Sequence, residues 1–126
     1  MGIAKDAFEA LSALEGEEKL KIRVHHTMPF EGFEEGRTLS LKPWKGSPRL
    51  WFGPVKLYAD GSLGSSTALL HAPYEDNPGD RGLAVLTLPE LRRRVKEAYA
   101  DGYSVAIHAI GDRAVTNSLK AIESAR

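Results

Sequence analysis

The chain has 126 residues, enough for one ordinary domain, and its 42% hydrophobic and 27% charged residues are typical of a globular protein. Its 17 basic and 17 acidic residues balance, so no net field attracts nucleic acid or an anionic membrane, and the absence of cysteine excludes disulfides and thiolate ligands. No apolar run approaches the roughly 20 residues of a membrane span and no signal peptide opens the chain, so we expect a cytoplasmic protein.

The first quarter of the chain predicts a helix followed by a strand. Residues 4–14 carry apolar side chains at helical spacing, and Gly16 suits the end of that helix. Residues 20–26 alternate between apolar and polar side chains, which predicts a strand. The Gly-, Pro- and charge-rich residues 27–50, with a short helix near Phe33, are long enough to cross over to a parallel strand.

The middle of the chain predicts a second strand and a long loop. Residues 51–59 form the strand, and Pro54, which lacks a backbone donor, should lie near its start or at a bulge. The loop runs from Asp60 to about Leu86 and contains a turn signal at residues 77–80.

A helix with a capping box comes next. Thr87 and Glu90 have the spacing at which each side chain accepts the other's backbone amide. Residues 101–102, Asp-Gly, end this helix. Its apolar stripe comprises Leu91, Val95, Ala98 and Tyr99.

The last quarter predicts a third strand and a final helix. Residues 103–107 alternate as a strand, and Asp112 is placed to cap the helix that follows. Alternation of strands and helices predicts an α/β fold with parallel strands. The apolar positions expected on the final helix are Ala114, Val115, Leu119 and Ile122.

Polar residues gather at the predicted carboxyl ends of two strands, where parallel α/β folds place their sites. Asp60 and His108 follow strands directly, and Lys56 lies on the same strand face as Asp60 because side chains alternate. We therefore single out Lys56, Asp60 and His108 as candidate catalytic residues.

Each candidate also has a structural interpretation. A lysine inside a strand can lose its proton and be carboxylated to bridge two metal ions, or it can extend to the sheet edge and pair with Asp60. His108 suits a metal ligand or an acid–base catalyst, or a hydrogen-bonded residue at the sheet end.

Other polar residues carry weaker signals. Asp112 is better explained as a helix cap than as a catalyst, and Arg113 as a first-turn residue than as a substrate clamp. The glycine- and serine-rich residues 61–67 suggest a phosphate loop but lack the ending of a P-loop. The remaining histidines, His25, His26 and His71, do not have the spacing of metal ligands. His25 and His26 could line the same strand-end site as Asp60 and His108.

The combination of motifs resembles amidohydrolase family 3, the branch of metal-dependent hydrolases similar to N-substituted formamide deformylase. The ordered match extends from Leu20 to Arg126. The motifs that carry it are residues 56–65, 67–68, 73–74, 81–82 and 108–114.

This resemblance implies a (β/α)8 barrel with a divalent metal site, expected to be zinc, with one or two ions in the complete barrel. It implies that Lys56 matches the lysine often carboxylated to bridge two metals and that His108 matches a histidine ligand. The family hydrolyses mainly C–N bonds of amide-type small molecules, and in such sites the metal activates a water molecule.

The chain departs from the family pattern in several places. Ser66 stands where relatives usually carry arginine, and the His-x-His pair of the first strand, a later histidine and a later aspartate are missing. A complete barrel needs about 250 residues and eight strands, whereas the sequence predicts three strands.

We therefore expect residues 1–126 to be a single partial barrel domain, roughly the third to fifth βα units, and inactive by itself. Unpaired strand edges would favour a homo-oligomer or a complementary barrel fragment as partner. The alternatives are a non-catalytic, self-associating α/β binding module and, less well supported, a small phosphate-binding domain.

Overall fold

The computed structural model describes residues 3–33 and 46–125 of the chain. Its helices are α1 (Ile3–Gly16), α2 (Leu88–Ala100) and α3 (Asp112–Glu123), and its strands are β1 (Val24–Pro29), β2 (Leu50–Tyr58) and β3 (Val105–His108). Short 3₁₀ turns cover Phe30–Gly32 and Leu63–Ser65. The expected short helix near Phe33 is thus one 3₁₀ turn, and the rest of that connection, residues 34–45, lies outside the described residues.

The three strands form one sheet in the order β1-β2-β3. β1 and β2 are parallel, from Val24 beside Leu50 to Pro29 beside Lys56. The Val55 amide donates to the Ser104 carbonyl and the Ala59 amide to the His108 carbonyl; both partners advance by four residues, so β3 is parallel to β2. The predicted α/β class with three parallel strands and flanking helices is confirmed.

The predicted position of Pro54 is also confirmed. Between His26 and Met28 the strand pairing shifts, so that β2 inserts one extra residue at Gly53–Pro54. A bulge there removes the need for the donor that proline lacks. A Cβ at Gly53 would collide with the His25 ring, which explains the glycine.

The first strand begins later than its alternation predicts. Residues 20–23 belong to the chain leaving α1: the Leu20 amide donates to the Leu14 carbonyl, and Glu18 takes the left-handed conformation with φ of 57°. The end of the helix therefore uses the Leu20 amide that strand pairing would need, and β1 starts at Val24.

The chain divides into two compact units, Met1–Lys56 with Gly102–Val105 and Leu57–Asp101 with Ala106–Arg126. In the first unit, aromatic rings fill the core. The Phe8 ring lies 5.8 Å from that of Phe52, and the Phe33 ring meets Tyr103 edge-on at 5.3 Å. Both contacts have the edge-to-face geometry that aromatic quadrupoles favour.

In the second unit, α2 packs against α3. The predicted stripe of α2 is confirmed for Leu91, Val95 and Ala98, which are fully buried. The predicted face of α3 is confirmed for Ala114, which is fully buried, and wrong for Val115 and Leu119, which are 41% and 62% exposed.

Small side chains form the buried face of α3 instead. Ala114 and Ala121 are fully buried, and Ser118 between them satisfies its hydroxyl by donating to the Ala114 carbonyl at 2.8 Å. Small residues allow a neighbouring helix to approach closely, and hydrophobicity alone does not reveal that preference.

Two predicted caps are wrong in detail. Thr87 is the N-cap of α2, but its side chain makes no capping hydrogen bond. The Glu90 carboxylate pairs with Arg93 and Arg94. The N-cap of α3 is Gly111, and Asp112 is the first helical residue. The Leu69 carbonyl accepts the Arg113 and Ala114 amides, so a neighbouring loop satisfies this helix end.

None of the helices in the described ranges is long and apolar enough to cross a membrane.

Candidate functional site

The candidate residues fall in both compact units and are described separately. Lys56 lies in the first unit, near the end of β2, beside Pro29 of β1. It is half-buried between Val55 and Leu57, whose side chains are fully buried on the opposite strand face. The strand alternation that pointed to Lys56 is thus present.

Asp60 and His108 lie together in the second unit. Asp60 follows β2, and its carboxylate is fully buried. His108 is the last residue of β3, and 29% of its side chain is exposed. The nearest carboxylate oxygen of Asp60, Oδ1, is 3.8 Å from His108 Nε2, which exceeds hydrogen-bond distance.

The hydrogen bond of His108 fixes its tautomer. Nε2 lies 2.7 Å from the Gly61 carbonyl oxygen. A carbonyl can only accept, so Nε2 carries the proton and the lone pair of the neutral ring lies on Nδ1. The Tyr58 ring lies beside the imidazole, with centroids 5.5 Å apart and planes tilted by 41°. His108 therefore has one nitrogen fixed by the backbone and one able to bind a metal or a proton.

Asp60 binds the backbone of two separate segments. Its Oδ2 accepts the Leu69 amide at 2.9 Å and the Gly111 amide at 2.8 Å, and its Oδ1 accepts the Ile110 amide at 3.0 Å. These three bonds join the loop after β2 to the turn after β3. The sequence placed Asp60 at the strand end but gave no sign that its partners would be backbone amides.

Gly111 allows the two segments to approach. A Cβ at this position would collide with the Leu69 carbonyl, the group that accepts from the first turn of α3. Here the glycine provides space rather than an unusual backbone angle, since its φ is −73°.

Asp112 and His71 fasten the same turn from its outer side. Asp112 Oδ1 accepts the His71 amide at 2.9 Å and the Arg113 amide at 2.7 Å. These bonds, the one from His71 first, lower the pKa of the Asp112 carboxyl below its usual 3.8. The His71 ring lies 3.2 Å from the Thr116 hydroxyl, so this histidine holds a loop against α3.

The remaining sequence candidates have local roles. His25 and His26 lie inside β1 rather than at its end, and the His26 ring packs 6.0 Å from that of Phe52. In the serine-rich loop the hydroxyls bond one another, with Ser65 Oγ 2.9 Å from Ser62 Oγ and 2.7 Å from Thr67 Oγ1.

The described residues do not by themselves fit a complete metal site. No group of three or more histidine, aspartate or glutamate side chains in residues 3–33 and 46–125 could hold an ion. His108 offers one imidazole nitrogen, and Lys56 becomes an oxygen ligand only after carboxylation. A metal site that used either residue would need further ligands from outside this set.

Comparison with known proteins places these residues in a family. The sequence model of the amidohydrolase family matches residues 2–126. The chain is 46% identical over 76 residues to "Putative amidohydrolase YtcJ" of Bacillus subtilis (strain 168), covering 60% of this chain and 14% of that protein. It is 37% identical over 123 residues to "Protein LONG AFTER FAR-RED 3" of Arabidopsis thaliana, covering 95% of this chain and 21% of that protein.

Two solved structures, described as uncharacterized metal-dependent hydrolases from Pyrococcus furiosus and Pyrococcus horikoshii OT3, share the fold. Each has a TM-score of 0.86, 42% identity and coverage of 94% of this chain. The chain spans 25% and 24% of those two structures, and 14% and 21% of the two curated relatives. With the family model matched over nearly its whole length, this chain belongs to the amidohydrolase family.

Proposed function

We propose that the chain is part of a metal-dependent hydrolase of amide-type C–N bonds in small molecules. Family membership supports a hydrolase, and the structural relatives described as metal-dependent support a divalent ion. The observation that carries the proposal is the His108 imidazole, which the Gly61 carbonyl holds at a strand end with Nδ1 open.

Lys56 and His108 are the proposed metal ligands, and zinc is the proposed ion. Imidazole nitrogen and carboxylate oxygen are both suitable zinc ligands, and a carboxylated Lys56 would supply such an oxygen. In this class of hydrolase a bound divalent ion polarises the scissile carbonyl and makes a water molecule acidic enough to attack.

The remaining ligands are proposed to come from further βα units of a (β/α)8 barrel, in the same polypeptide or in a complementary chain. The small share of each relative that the chain spans supports this view. We accordingly propose that residues 1–126 do not hydrolyse amides alone. The alternative, a non-catalytic binding module, is not favoured by the hydrolase relatives.

The test compares metal content and hydrolysis in the 126-residue chain and in a chain that carries the whole barrel. Metal content is measured by mass spectrometry after dialysis without chelator. We expect the whole barrel to hold one or two divalent ions and to hydrolyse amides. Lys56→Ala and His108→Ala should each abolish both properties.

Matched controls are Lys96→Ala, at an exposed position of α2, and His71→Ala, at an exposed position of the loop after β2. Both should retain the metal. A metal-loaded barrel that hydrolyses no amide would refute the proposed reaction, and full metal content in His108→Ala would refute the assignment of that ligand.

A further inference from the structure

We propose that Asp60 is a positioning residue for His108. Its carboxylate joins the loop after β2 to the turn after β3, and this junction holds Nε2–H on the Gly61 carbonyl and leaves Nδ1 open. The inference rests on the proposed function for the use of His108, but the geometry of Asp60 stands without it.

The first argument is the position of the three donors. Ile110 and Gly111 are two and three residues beyond His108, so their bonds to Asp60 fix the turn that directly follows the imidazole. The Leu69 amide fixes the other segment. Because Asp60 and Gly61 are adjacent, the residue that orients the turn also positions the carbonyl that His108 binds.

The second argument is the choice of a carboxylate. Both oxygens of aspartate accept, and here both are used by backbone amides. Asparagine has one acceptor oxygen and one NH₂ donor, so it would set a donor against at least one of the three amides. A neutral isostere therefore cannot reproduce the arrangement.

The third argument is burial. A fully buried carboxylate is costly unless hydrogen bonds replace its water. In the described part of the chain, the hydrogen-bond partners of Asp60 are the three amides, and it makes no ion pair with lysine or arginine. A group so enclosed does not reach a substrate, which separates positioning from a catalytic role.

The experiment reads the His108 tautomer by ¹⁵N nuclear magnetic resonance of the 126-residue chain at one fixed pH. We expect the Nε2–H form in the wild type and a loss of that preference in Asp60→Asn. In the same variant the Ile110 and Gly111 amides should exchange about tenfold faster or more.

Asp112→Asn is the matched control, because Asp112 also accepts two backbone amides in the same unit. It should keep the wild-type ring signals of His108. A folded Asp60→Asn chain with an unchanged His108 tautomer would overturn the inference, as would an equal change in Asp112→Asn.

A second measurement covers the case in which Asp60→Asn does not fold. In the wild type, the Leu69, Ile110 and Gly111 amides should exchange with one common opening rate, and His108 Nε2–H should follow the same rate. Separate rates would overturn the inference. Neither readout uses metal, so a failure to bind metal with an intact tautomer would count against the proposed function alone.

Discussion

Two acidic residues of the second unit use their carboxylates in opposite ways. Asp60 is enclosed and accepts three backbone amides, whereas the Glu90 side chain is 33% exposed and pairs with Arg93 and Arg94, both at 2.8 Å. If a buried acceptor is removed, water cannot reach its donors to replace it. If a partly exposed ion pair is broken, water solvates both charged groups. Stability should therefore depend strongly on Asp60 and weakly on Glu90, although the Glu90 pair has the more conspicuous charges.

The largest expected effect comes from Asp60→Ala. It leaves the Leu69, Ile110 and Gly111 amides without their acceptor, at a cost of about 3 kcal/mol in the free energy of unfolding. Denaturant unfolding measures this cost. Asp76→Ala, at an exposed loop position of the same unit, should change it by less than about 0.5 kcal/mol. Equal losses in the free energy of unfolding in Asp60→Ala and Asp76→Ala would contradict a special role for the buried Asp60 carboxylate.

Gly111→Ala should destabilise the same junction from the other side. The added Cβ collides with the Leu69 carbonyl, so the loop must move away from α3, at a cost of about 2 kcal/mol. Gly64→Ala is the control, since a Cβ there meets nothing within 4 Å. We expect Gly111→Ala to unfold at a lower temperature than Gly64→Ala. Equal unfolding temperatures would show that the loop after β2 can move away from α3 at little cost.

Asp112 gives an intermediate case with a defined pH dependence. Its folded pKa is lowered, so its contribution to stability is present above the unfolded pKa and is lost as pH falls through the folded value. Asp112→Asn keeps Oδ1 as an acceptor but removes the titration. The difference in stability between wild type and variant should therefore shrink on acidification, as unfolding curves at several pH values will show. A difference that grows at acid pH would contradict this sign.

Glu90→Gln should have the smallest effect. Hydrogen bonds from Arg93 and then Arg94 lower the Glu90 pKa from 4.5 to about 2. The ion pairs are thus fully present above pH 4.5, and they are lost as pH falls from 4.5 toward about 2. At neutral pH the loss in the free energy of unfolding caused by Glu90→Gln should be barely measurable and should disappear in high salt. Glu75→Gln, at an exposed position, is the control. A loss in the free energy of unfolding as large as that of Asp60→Ala would contradict the expected difference between Asp60 and Glu90.

Periodicity in the sequence determined the order of strands and helices, because apolar side chains that recur at the period of a helix or a strand lie on one face of that element. Leu91 and Val95 of α2 illustrate this, and so does the bulge at Pro54, which follows from one missing donor. The strand-end positions of Asp60 and His108 were predictable for the same reason.

Only the tertiary structure decided which partners those residues take. The start of β1 depended on backbone bonds after α1, the cap of α3 came from the Leu69 carbonyl, and α3 buried small residues rather than Val115 and Leu119. Asp60 meets the Ile110 and Gly111 amides 50 and 51 residues further along the chain. Such long-range bonds leave no periodic trace in the sequence, since they arise only when separate strands bring their ends to the same edge of a sheet.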